Sequence, residues 1–162
     1  MPLNAARACS MLETTGMEPL YSHRNYLNKA GLLPVVGRGL QAATLNSQDL
    51  TRLVIGSTAG RAVDAGNHTV TAEALVCKET GLTLGEAIKA IFDGEPADID
   101  IEQMGITTDG TFAWIFRTDG EKELYGVPRS ARRATVFSTS SISWLALKLH
   151  FDTQSGWVGE KV

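Results

Sequence analysis

The chain has 162 residues, 43% of them hydrophobic and 20% charged, with 3 Trp, 5 Phe and a formal net charge of −3. Such a make-up can bury a core, which argues against an intrinsically disordered chain, and the length suffices for one ordinary domain or for two small ones sharing a core. No apolar run approaches the roughly 20 residues that span a bilayer, and the N-terminus lacks the charged-then-apolar order of a signal peptide, so no membrane partner is expected and the cytoplasm is the expected compartment.

The first predicted helix opens at Asn4, a side chain suited to capping, and carries Ala5, Ala8, Cys9 and Leu12 at helical spacing up to a stop at Gly16. Pro19 suits the first turn of a second helix over residues 19–30. At 100° per residue, Leu20, His23, Leu27 and Ala30 gather on its packing side, while Ser22, Asn25, Tyr26 and Lys29 gather on a polar side. Gly31 ends this helix and Pro34 prevents its resumption. Residues 35–45 read as an extended excursion tipped by Gly37-Arg38-Gly39. Asn46 then caps a third helix, with Asp49 as capping-box partner, Leu45 and Leu50 as a hydrophobic staple, and Leu50, Leu53 and Val54 as its buried stripe.

Residues 56–69 are rich in small side chains and mark the expected boundary between two parts, 1–62 and 67–162. A short helix is expected around Ala72 to Lys78. Thr83 to Glu86 is a capping box opening a helix whose Leu84, Ala87, Ile88, Ile91 and Phe92 share one face, closed by Gly94. Beyond it the hydrophobic period becomes two, through Ile99 and Ile101, then Phe112, Trp114 and Phe116, then Leu124 with Tyr125. Asp109-Gly110 and Asp119-Gly120 fall between these runs as hairpin turns, which gives a three-stranded antiparallel meander that Thr135 to Phe137 could extend. Residues 140–151 fit both periods, and their length and serine cap favour a C-terminal helix.

Charge is divided along the chain. Residues 1–62 hold six Lys and Arg against three acids, a net +3, and residues 63–162 hold nine against fifteen, a net −6. A polyanion, if one binds, therefore meets the first third.

Helix, tight turn, helix, extended hairpin and helix is the order of a winged helix-turn-helix. The stretch over residues 5–56 resembles the DNA-binding head of the mercury-resistance (MerR) type regulators, through Tyr26, Gly31-Leu32-Leu33-Pro34, Gly37-Arg38-Gly39, Asp49-Leu50 and Arg52-Leu53. It is also similar to small regulators carried by prophages. The resemblance implies a second helix that enters a major groove and a wing that touches the backbone. In chemical terms, Asn25 can pair with adenine N6 and N7, Ser22 and Tyr26 can reach a phosphate or a base edge, and Lys29 and Arg38 can neutralise phosphates. Arg24 joins the candidate set as the other cation of the same helix.

Other constellations carry less. Asp98, Asp100 and Glu102 alternate with Ile99 and Ile101 and read as a solvent face of a strand rather than a cation site. Arg129, Arg132 and Arg133 are expected to pair with that strand's carboxylates. Cys9 and Cys77 match no metal-ligand spacing and read as buried free thiols, and Asn67-His68-Thr69 fits a glycosylation sequon by accident. His23, His68 and His150 lie far apart, outside any nucleophile motif, and no phosphate-binding glycine loop is present. No enzyme activity, metal or cofactor is expected.

The sequence thus points to an α+β protein, with an N-terminal winged helix-turn-helix followed by a helix, a three-stranded antiparallel meander and a C-terminal helix. The expected function is transcriptional regulation through double-stranded DNA, from a phage or other mobile element. The expected assembly is a homodimer through Trp144, Leu145 and Leu149 on the last helix, because a lone winged helix covers few base pairs. Two alternatives remain open: an architectural DNA-binding protein of the phage packaging or excision kind, and a protein-interaction module whose C-terminal half binds a protein partner.

Overall fold

A computed structural model describes residues 3–13, 20–34, 44–128 and 133–154, with side chains described as far as Leu149. Five helices come first: α1 (Ala5–Glu13), α2 (Tyr21–Lys29), α3 (Ser47–Gly56), α4 (Ala65–Glu73) and α5 (Leu84–Asp93). An antiparallel sheet follows, made of β1 (Ile101–Thr107), β2 (Phe112–Arg117), β3 (Lys122–Gly126) and β4 (Ala134–Ser138), and then α6 (Thr139–Gln154). The protein is α+β. Among the described residues no helix is long and apolar enough to cross a membrane.

Local chemistry sets the helix ends. Asn4 Oδ1 accepts from the Arg7 backbone N–H at 3.0 Å, and Ala8, Cys9 and Leu12 turn inward. The Leu20 N–H, free at the start of α2, donates to Glu13 Oε1 at 2.7 Å. Gly31, at φ 73°, lets the chain close α2 with Leu32 N–H donating to the Leu27 carbonyl at 3.0 Å, a geometry that side chains with a Cβ rarely adopt. Both expected capping boxes form, Asn46 with Asp49 on α3 and Thr83 with Glu86 on α5. Leu45 and Leu50 are both buried where the staple places them.

The small-residue stretch 56–69 is packed. Ser57, Thr58 and Ala59 are buried, as are Ala65, His68 and Thr69 on α4, which starts seven residues earlier than the expected helix at Ala72. The physical reason is close approach between helices. A Cβ on Gly56 would stand 2.6 Å from Leu27 Cδ1 and 2.9 Å from Thr69 Oγ1, and one on Gly66 would stand 2.9 Å from Ala30 Cβ. The missing side chains let α2, α3 and α4 meet at short range. One hydrophobic core accordingly runs from Leu3 to Leu149, across both the 1–62 and the 67–162 parts. Val76 and Cys77, expected in a helix, are extended instead and bridge Thr83 and Tyr125.

The sheet has four strands rather than three, in the order β3-β2-β1-β4, because β4 pairs antiparallel with β1. Both hairpins turn at the expected Asp-Gly pairs, with Gly110 at φ 72° and Gly120 at φ 93°. Inward positions Met104, Ile106, Ala113, Ile115, Tyr125 and Phe137 are buried, and α6, with Ile142, Leu145, Ala146 and Leu149 buried, packs on β1 and β4. Leu145 and Leu149, expected at an oligomer contact, are therefore part of the chain's own core, and of the expected trio only Trp144 is exposed, at 64%. The acidic triplet does not share a strand face. Asp98 lies in a short 3-10 turn (Pro96–Asp98), and Asp100 accepts from Arg117 Nη1 at 2.9 Å.

Candidate nucleic-acid interface

The inward side of α2 is fixed by Leu20 and Leu27, both buried, and by His23, whose Nε2 meets the Ala59 carbonyl at 3.0 Å. Ala30, expected to be inward, is exposed at the helix end. The opposite side carries Ser22 and Lys29 exposed and Asn25 half-buried, so three of the expected contact residues share one accessible strip. Tyr26 is half-buried against the core, with Lys29 Nζ 5.0 Å from its ring centroid. Arg24 is also half-buried, its guanidinium 5.1 Å from the Tyr21 ring. These contacts hold both cations beside aromatic rings without neutralising them. Helix α2 contains no acidic residue, and neither cation is ion-paired among the described residues.

Arg38 and residues 35–43 of the expected 35–45 excursion lie outside the described residues, as do Arg129 and Arg132; Arg133 is exposed. Tyr21, 65% exposed at the head of α2, belongs to the accessible strip and is absent from the sequence-derived set. Its spacing of four residues from Asn25 was the available signal.

Buried polar groups tie the end of α3 to α4. Thr58 Oγ1 donates to the Ile55 carbonyl at 2.6 Å and lies 2.7 Å from His68 Nε2. A hydroxyl has one proton, so the imidazole must donate at Nε2, leaving Nδ1 as the unprotonated nitrogen. Nδ1 faces Gly110 at the β1–β2 turn, where a Cβ would come within 3.0 Å of it. Burial pushes the His68 pKa below its ordinary value, with His23 acting in the same direction and Asp109 and Asp64 opposing. The folded state thus resists a proton that the unfolded chain accepts. Stability is complete above the ordinary imidazole value of about 6.5 and declines as pH falls through it. Urea midpoints measured from about pH 7.5 to about 5.5 are expected to fall, and the fall to shrink in His68→Gln; a flat profile would contradict this arrangement.

Three other groups are shifted by burial and by pairing. Cys9 and Cys77 are both buried free thiols, and burial pushes Cys9 up to about 11, which leaves it protonated and unreactive. Burial disfavours the charge on Arg117, but Glu123 at 2.9 Å and Asp100 outweigh it and hold the guanidinium above its ordinary value. Burial and the bond donated to Glu123 at 2.7 Å hold the Tyr125 phenol well above its usual range. Among the described residues no group of three or more His, Cys, Asp or Glu could hold a metal ion.

No protein-family model matches the chain, and no curated protein or solved structure matches it.

Proposed function

We propose that the protein is a regulator that binds double-stranded DNA, with α2 as the helix that enters the major groove in a winged helix-turn-helix arrangement. The observation that carries this reading is the accessible side of α2, where Ser22, Asn25 and Lys29 stand together beside Tyr21, on a helix with two cations and no carboxylate. The arrangement suits a surface carrying phosphates and base edges: Lys29 and Arg24 supply charge, and Asn25 supplies a paired donor and acceptor. The net +3 of residues 1–62 favours the first third of the chain, which contains α2, for a polyanion.

The test is a mobility-shift titration of the whole chain, first against random duplex at low salt and then against fragments selected from genomic DNA. Lys29→Ala is expected to weaken binding to all duplexes alike and to lower the salt slope by about one unit. Asn25→Ala is expected to cost roughly 1–3 kcal/mol at the preferred site and little on random DNA. If both Asn25→Ala affinities fall together, Asn25 does not read a base. If no duplex shifts at low salt, the reading fails.

A further inference from the structure

The outward face of the sheet is apolar along a line that crosses every strand. Directly opposed residues in neighbouring strands share a face, and the register sets Leu124, Trp114, Gly105 and Val136 in one such row. Met104, Ile106, Ala113, Ile115, Tyr125 and Phe137, which alternate with them, are buried, whereas Leu124 is 42% and Val136 51% exposed. Gly105 flattens the row. A Cβ there would collide with Trp114 Cζ2, Cε2 and Cη2, so the indole lies down across the backbone of β1. Trp114 Nε1 donates to Gln103 Oε1 at 3.0 Å, which fixes the ring in that position. Phe112 and Phe116 flank it along β2, with ring centroids 6.1 and 6.2 Å away.

We propose that this face is where two copies of the chain meet, sheet against sheet about a two-fold axis. Charge argues against a polyanion as the occupant. In the outward register Lys122 lies over Phe116, but Glu102 stands exposed at the bulge that begins β1, and residues 63–162 carry a net −6. A two-fold axis lays the apolar row on its own image, so complementarity requires no second sequence. Flat faces of this kind pack about 10 Å apart.

Size is the second argument. Strands about 4.8 Å apart, with five residues each rising about 3.4 Å, make a face of about 19 by 17 Å. With side-chain relief, that is on the order of 500 Å² per copy and about 1,000 Å² per pair, the lower bound for a specific interface. An interface of that size suits a weak, reversible dimer. The proposal also places the contact away from α6, whose Leu145 and Leu149 are already used by the core. It does not rest on the DNA-binding reading.

Sedimentation velocity of the full chain from about 1 to about 100 µM tests it. A concentration-dependent monomer–dimer equilibrium is expected. Leu124→Glu and Val136→Glu alter exposed positions, so thermal melts should remain cooperative. Each is expected to weaken the dimer at least about 100-fold by burying an unpaired carboxylate in the apolar seam. Trp144→Ala, on the exposed side of α6, is expected to leave the dimer unchanged. A chain that stays monomeric at the highest concentration overturns the proposal. So does a dimer broken by Trp144→Ala and indifferent to Leu124→Glu. A monomer that binds single-stranded oligo-dT and loses that binding in Leu124→Glu assigns the face to nucleic acid instead. Duplex titrations on the same samples separate the two readings, because loss of duplex binding leaves the dimer result standing.

Discussion

A chain ended after Gly66 is expected not to fold. Such a fragment keeps α1, α2 and α3, yet the buried side of α3 is shaped by elements it lacks. Leu53, Val54 and Ile55 are all buried, and α3 packs on α4 and α5 as well as on α1 and α2. Helix α1 packs on α6, and α2 packs on α4. Exposing a Leu or Ile that the intact chain buries costs about 1.5–3 kcal/mol, and a whole domain is stable by only about 5–15 kcal/mol, so losing several such contacts removes the folded state. Circular dichroism should show low helicity without a cooperative melt, and the fragment should shift no duplex. A cooperative transition in the fragment would show that α1–α3 form a separable unit, contrary to the shared core.

The second large effect is expected at the crossing beneath α2. Leu27 is fully buried, and Leu27→Ala should destabilise the chain by about 2–5 kcal/mol through lost burial and a residual cavity. Gly56→Ala alone should cost about 1–3 kcal/mol, because the new methyl would stand 2.6 and 2.8 Å from the two Leu27 methyls. Combined, the two changes should cost clearly less than their sum. Truncating Leu27 removes both methyls and leaves Thr69 Oγ1, at 2.9 Å, as the next atom that must move aside. Urea denaturation of the two single variants and the double variant measures the coupling directly. Additive costs would mean that Gly56 is not where α2 and α3 make their closest approach. The cycle also bears on function. Leu27 seats the helix whose opposite side is proposed to meet DNA, so Leu27→Ala should weaken duplex binding even at temperatures where the chain remains folded.

What was legible in the sequence was set by neighbours along the chain. The Asn46–Asp49 and Thr83–Glu86 boxes are read correctly because each is closed by groups three residues apart. The Asp-Gly turns, the period-two strands and the polar strip Ser22, Asn25 and Lys29 follow from local backbone preference and from the geometry of one helix or strand.

Tertiary structure decided whatever depends on residues distant in sequence. Gly56 and Gly66 look like linker residues because a missing side chain signals either a flexible turn or a close crossing, and only the positions of Leu27 and Ala30 distinguish the two. β4 is the extension that Thr135 to Phe137 allowed, but its pairing with β1, which offers it an edge, is not encoded by local propensity. Leu145 and Leu149 have the period of an oligomer seam and of an internal face alike; packing against the sheet made them internal. Gly105 could have marked a bulge or a bend. The sheet instead brings Trp114 from the neighbouring strand to lie over it, because a residue without a Cβ leaves the only flat place in the row wide enough for an indole.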